Sequence, residues 1–139
     1  MIYWDTSALI KSYNADEIRH SRAENLREAK IRHVSSALLR AELLGVVCSR
    51  LFPNKSFMKA MVTEVLEDLE DWTFLAVDPH VETAGALCER YGLRGADAIH
   101  LASALTLRRD VSRKFRFASA DRKQLDAAGA ENLKVIDLS

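Results

Sequence analysis

Glycine and proline are scarce, 5 and 2 residues in 139. Breakers that rare exclude a loop-rich or collagen-like chain and leave helices joined by short connections. Cysteine is almost absent. Cys48 and Cys88 lie far apart and outside any Cys-x-x-Cys, so neither a zinc ribbon nor a disulfide framework is available. Both fall in apolar helical patterns and are expected to be buried thiols. An excess of charge is missing too, because Lys+Arg 20 balances Asp+Glu 20. No global basic surplus advertises a nucleic-acid partner, although a local patch can sit inside a neutral total. No apolar run approaches the ~20 residues of a membrane span. The opening Met1-Ile2-Tyr3-Trp4-Asp5 has neither the basic start nor the apolar core of a signal peptide. The expected location is the cytoplasm, away from membranes.

What is present is a hydrophobic share of 48% beside 29% charged residues, the balance of a folded soluble domain. The length fits one domain over residues 1–139. Ile2-Tyr3-Trp4 reads as a short strand, followed by a helix of about two turns from Ser7. Asp16 to Lys30 reads as a solvated helix and Arg32 to Ser35 as a strand. Ser36 is placed to cap a long helix through Leu51. Pro53-Asn54 breaks the pattern. Lys55 to Leu69 is helical, with Phe57, Met61, Val65 and Leu69 in steps of four, a stripe suited to core or to a dimer surface. Trp72 to Val77 reads as a strand. Asp78-Pro79 opens a helix that stops at Gly92. Further elements follow: a helix from Asp97 to Arg108, a strand from Phe115 to Ser119, a helix from Arg122 ended by Gly129, and a strand from Lys134 to Ile136. Strands alternating with helices predict an α/β fold on a mostly parallel sheet. Ligands in such folds sit beyond the carboxyl ends of the strands.

Four carboxylates bear on that place. Asp5 follows the first strand, and Asp121 comes just after the fourth. Each also precedes a helix, so each reads equally as an N-cap. Glu42 is harder to account for. Its neighbours three and four residues away are Leu38, Leu39, Gly45 and Val46, an apolar face. A carboxylate there needs a cation, a metal or a proton, and Arg40 and Arg50 point elsewhere on the helix. Asp97 shares its stripe with Leu101 and Ala104; its place in a first helical turn offers the helix dipole as the other account. Several carboxylates in one pocket cannot all ionise without counter-charge. A hard divalent cation supplies it, and oxygen-only donors favour Mg²⁺ or Mn²⁺ over zinc. Such ions serve the hydrolysis of phosphate esters.

The runs Asp5-Thr6-Ser7-Ala8-Leu9-Ile10-Lys11, Asp97-Ala98-Ile99-His100-Leu101-Ala102-Ser103-Ala104 and Phe117-Ala118-Ser119-Ala120-Asp121-Arg122, with Ser36 and Glu42 on a helix between the first two, resemble the PIN domain. More narrowly, the chain resembles the VapC-type toxins of toxin–antitoxin pairs. The resemblance spans the chain from Asp5 to the last strand. It implies a parallel sheet of order 3-2-1-4-5 with helices on both faces. It assigns Asp5, Glu42, Asp97 and Asp121 to an acidic, metal-binding catalytic cluster, and Ser7 and Ser119 to supporting polar positions. It implies an Mg²⁺- or Mn²⁺-dependent endoribonuclease acting on RNA such as tRNA or rRNA through a metal-activated water. It also implies a homodimer and a cognate VapB-type antitoxin. Within that family the number of these acids that bind metal directly varies, most of all at the position of Asp121.

An acidic pocket repels RNA, so cations are needed around it. Arg94, Arg113, Lys114 and Arg122 are candidates for phosphate contact, from a wider basic run that includes Arg108, Arg109, Arg116 and Lys123. The other account of this run is a solvated helix end and loop. His100 is expected to face away from the Asp97 stripe in a structural role, and Tyr3 and Trp4 to be core. Two rivals can be weighed. Haloacid-dehalogenase-like hydrolases need a second Asp where Ser7 stands, and receiver domains need paired acids where Trp4 and Thr6 flank Asp5. A catalytically silent PIN-like module that binds RNA or protein is the remaining alternative.

Overall fold

The structure, a computed structural model, describes residues 1–51, 54–111 and 114–139. Five strands form one parallel sheet: β1 (Ile2–Trp4), β2 (His33–Ser36), β3 (Thr73–Leu75), β4 (Arg116–Ser119) and β5 (Val135–Asp137), in the order β3-β2-β1-β4-β5. This is the expected order. β1 is central because it is the most apolar strand, and all three of its residues are fully buried. Successive side chains leave a strand on opposite faces. Tyr3 joins Phe117, Leu101 and Leu105 in one core layer, while Ile2 and Trp4 join Leu9, Leu39, Leu43 and Val65 in the other.

The connecting helices are α1 (Thr6–Ile10), α2 (His20–Arg27), α3 (Leu38–Val46), α4 (Lys55–Asp68), α5 (Val81–Tyr91), α6 (Gly95–Asp110) and α7 (Arg122–Ala130). No helix among the described residues is long and apolar enough to cross a membrane. From β1 the chain first builds outward through β2 and β3, then returns to β1's other edge as β4. That reversal opens a crevice at the carboxyl ends of β1 and β4.

Several boundaries differ from expectation. α2 is shorter because Asn14 to Glu17 forms a turn and Arg19 takes a left-handed φ of 69°. Ser36 is not the N-cap: it stays in β2 and Ala37 takes that position, although the Ser36 Oγ still accepts from the Leu38 amide at 3.3 Å. α3 runs on into a π turn, Val47–Leu51. Asp78 and Pro79 lie in a 3-10 turn ahead of α5. Gly129 does not end α7; Asn132, at φ 61°, lies in the left-handed region just after it. Pro53 lies outside the described residues. The two thiols are not buried: Cys48 is exposed on the π turn and Cys88 is half-buried. Along the α4 stripe only Val65 and Leu69 are core; Phe57 is 69% exposed.

Candidate active site

Asp5 follows β1 and continues its ladder, its amide donating to the Ala118 carbonyl at 2.9 Å. It is an N-cap, as half of its sequence reading required: Oδ2 accepts from the Ser7 amide at 2.9 Å and the Ser7 hydroxyl at 2.5 Å. Its other oxygen accepts from Gln124 Nε2 at 3.0 Å. Asp5 is only 2% exposed, and three neutral donors satisfy its oxygens in this nearly buried position. Ser7 Oγ accepts from the Ala120 amide at 3.0 Å and lies 3.3 Å from Ser119 Oγ. Ser119 donates to Gln124 Oε1 at 2.6 Å and accepts from the Asp121 amide at 3.0 Å. Gln124 also donates to the Asp97 carbonyl at 3.0 Å. One buried amide thus ties β1, α6, β4 and α7 together.

Glu42, on α3, receives the Thr6 hydroxyl at 2.5 Å and His100 Nε2 at 2.9 Å, both on Oε2. Burial pushes its carboxyl up, but hydrogen bonds from His100 and Thr6, with the charges of His100 and Arg94, outweigh this and hold it below the usual range. His100 therefore does not face away. It is 1% exposed and reaches from α6 to α3. Burial alone would lower its pKa; the Glu42 hydrogen bond and the charges of Asp5, Glu42 and Asp97 raise it above the ordinary imidazole value.

Asp97 lies in the first turn of α6 and pairs with Arg94 Nε at 3.1 Å. Burial raises its pKa; Arg94 opposes this, while the negative charges of Asp5 and Asp121 add to it. Asp5, Thr6, Ser7, Glu42, Asp97, Arg50 and Arg94 line one cleft of about 450 Å³. Asp121 is not on its wall. Asp121 caps α7, its Oδ1 accepting from the Gln124 amide at 2.9 Å, and is felt at the cleft through its charge.

The predicted cations scatter. Arg94 is at the cleft. Arg122 is bound to Asp137 and Ser139. Lys114 precedes β4 at the amino end of the sheet, beside Met1, Ile31, Arg116 and Lys134. Arg113 lies outside the described residues. Arg108 is spent on the Glu131 and Asn132 carbonyls, and Lys123 on the Gly92 carbonyl. The cleft's second arginine, Arg50, was not expected there; the π turn after α3 carries it, and helical periodicity cannot foresee that change of register. Thr6 and Gln124 were missed as well. Asp121-Arg-Lys-Gln124 has the spacing of a capping box, but the glutamine side chain turns to Asp5 instead of back to its own helix end.

By donor chemistry the cleft fits a hard divalent cation: its acids are carboxylates, no thiol lines it, and burial, with the like charges of Asp5 and Asp121, raises the Asp97 pKa. As the side chains stand, Arg94 pairs with Asp97, and Thr6 and His100 both bond to Glu42. Among the described residues no three histidine, cysteine, aspartate or glutamate side chains converge as a metal-holding group.

A parallel α/β sheet with carboxylates gathered at its switch point defines a class of domain. The chain belongs to the PIN-domain family, whose model matches residues 2–130. Two solved structures are similar over nearly all of both chains. One is a toxin-antitoxin complex from Klebsiella pneumoniae, at TM-score 0.68 and 18% identity, covering 100% of this chain and 98% of that one. The other is FitAcB from Neisseria gonorrhoeae, at TM-score 0.69 and 20% identity, covering 99% and 97%. A search of curated protein sequences finds no match.

Proposed function

We propose that the chain is a divalent-metal-dependent endoribonuclease, the toxin of a type II toxin–antitoxin pair, acting as one PIN domain over residues 1–139 in the cytoplasm. The observation that carries this reading is the meeting of Asp5, Glu42 and Asp97, from three separate elements, in one cleft at the sheet's switch point. Asp5, Glu42 and Asp97 would hold Mg²⁺ or Mn²⁺, and Asp121, off the cleft wall as the side chains stand, would complete or orient that shell. When bound, the ion supplies the positive charge that activates water and neutralises a phosphodiester.

The chain's own residues do the rest. Ser7 and Gln124 fix the orientation of the Asp5 carboxyl group by hydrogen bonds. Ser119 holds Gln124 by its other end. Arg94, 82% exposed at the rim, is able to exchange Asp97 for a phosphate oxygen of RNA, tRNA or rRNA among them. Membership of the PIN family supports the nuclease chemistry. The similarity to a toxin-antitoxin complex supports a VapB-type antitoxin as partner. The exposed Phe57 face of α4 suits the homodimer.

A second reading, a silent PIN-like module that binds RNA or protein, is favoured by one observation: although three carboxylates line the cleft, among the described residues no three such side chains are close enough as they stand to form a metal-holding group. Incubation of a tRNA and total-RNA panel with partner-free protein separates the two. Cutting with Mg²⁺ or Mn²⁺, stopped by EDTA and lost in folded Asp97→Ala, is the expected result. Intact RNA with every metal, from folded protein that takes up no Mn²⁺, would establish the silent module.

A further inference from the structure

The nuclease reading leaves a buried histidine without a task. His100 is 1% exposed, and its two ring nitrogens face different partners. Nδ1 lies 3.3 Å from the Tyr3 hydroxyl, and Nε2 lies 2.9 Å from Glu42 Oε2. Thr6 Oγ1 approaches Nε2 at 3.3 Å and gives its own proton to the same glutamate oxygen. Tyr3 is fully buried in the central strand, stacked on Phe117 at 5.7 Å and edge-on to His100 at 6.1 Å. Its phenol hydroxyl can donate to or accept from the ring nitrogen it faces.

We infer that Tyr3 and His100 are positioning residues for Glu42: the Tyr3 hydroxyl fixes the His100 ring, and His100 Nε2–H with Thr6 pins Glu42 Oε2, which leaves Oε1 as the oxygen presented to a divalent cation.

Three features support this. The direction of the bond does not depend on the ring's charge, since Nε2 carries a proton in the imidazolium and in the tautomer whose Nδ1 accepts from Tyr3. Both hydrogen bonds fall on one oxygen, and among the described residues Oε1 has no hydrogen-bond partner. The glutamate side chain is 28% exposed, so a single pinned rotamer at the cleft needs this anchoring from below. A histidine that merely filled space would need neither donor alignment nor a hydroxyl on its far nitrogen. Outer partners of this kind typically change metal affinity or activity by roughly tenfold to hundredfold when removed.

The inference rests on the nuclease reading, and Mn²⁺ titration of the intact chain tests it with a readout other than activity. His100→Leu should weaken Mn²⁺ binding by roughly tenfold to hundredfold. His100→Gln, which keeps an N–H near the Nε2 position, should recover most of that loss. In a Glu42→Gln background, His100→Leu should cost little more, because its effect passes through Glu42. In RNA cleavage the same variant should lower kcat with KM nearly unchanged. Should His100→Leu fail to fold, Tyr3→Phe, which keeps the ring stacking, carries the test through a smaller loss in the same direction. Wild-type Mn²⁺ affinity in folded His100→Leu or Tyr3→Phe, or losses that add in the double variant, would overturn the positioning role alone. Wild-type protein that neither binds Mn²⁺ nor cuts RNA would overturn the nuclease reading and this inference together.

Discussion

At the scale of single residues, the cleft is built from buried polar groups whose partners leave little slack. Gln124 is fully buried and serves Asp5, Ser119 and the Asp97 carbonyl at once. Gln124→Leu keeps the volume and removes all three bonds. It should cost about 1–3 kcal/mol for the unpaired Asp5 oxygen alone, read in urea unfolding. His33 offers a pH test at a distance from the cleft. Trp4 Nε1–H donates to its Nδ1 at 3.0 Å, and burial holds its pKa below the ordinary 6.5. The unfolded chain then takes the proton first as pH falls. The stability His33 contributes is complete above 6.5 and is lost as pH drops from there through the folded value. The advantage of wild type over His33→Gln in urea should therefore shrink between neutral and mildly acidic pH. Asp5, Glu42 and Asp97 were legible in sequence because a carboxylate on an apolar stripe, or at a strand end, breaks the local pattern. Thr6, His100 and Gln124 were not, because each looks ordinary among its neighbours and gains its role only from a partner at least 36 residues away.

At the scale of elements, the strands and most helices followed from periodicity and from a few breakers. Gly92 ends α5 as expected, at a left-handed φ of 63°. An added Cβ there would meet only the flexible end of Lys123 at 3.1 Å, so the backbone sets the cost. Gly92→Ala should destabilise by about 1–2 kcal/mol in thermal or urea unfolding. Gly129 is the opposite case: it sits inside α7 with nothing within 4 Å of an added Cβ. Gly129→Ala should stabilise by roughly 0.5–1 kcal/mol in the same assay. The expectation that Gly129 ends the helix failed because the left-handed residue is Asn132. The extent of α3 was legible only as a length. That its last turn is a π turn, which brings Arg50 to the cleft, depends on packing that no helical repeat encodes.

At the scale of the whole molecule, zero net charge is distributed unevenly. The cleft is acidic, two arginines line it, and Arg108, Arg122 and Lys123 are bound elsewhere. With Arg50 and Arg94 as the phosphate contacts, log affinity for single-stranded RNA should fall with log salt at a slope of about −1.4, from ~0.7 per contact. Fluorescence anisotropy in a salt series measures it, and a slope several times steeper would require another basic surface. The strand order was within reach of the sequence through its family resemblance, since composition alone stops at a parallel α/β sheet. The cleft also has a consequence for the order in which the protein is made. Gln124, which holds Asp5, is synthesised 119 residues after it. Until β4 and α7 have emerged, β1 lacks a neighbour on one edge and Asp5 lacks its buried amide. A nascent chain therefore carries Asp5 without an assembled cleft until α7 has emerged, so the acidic site forms late relative to its own first carboxylate.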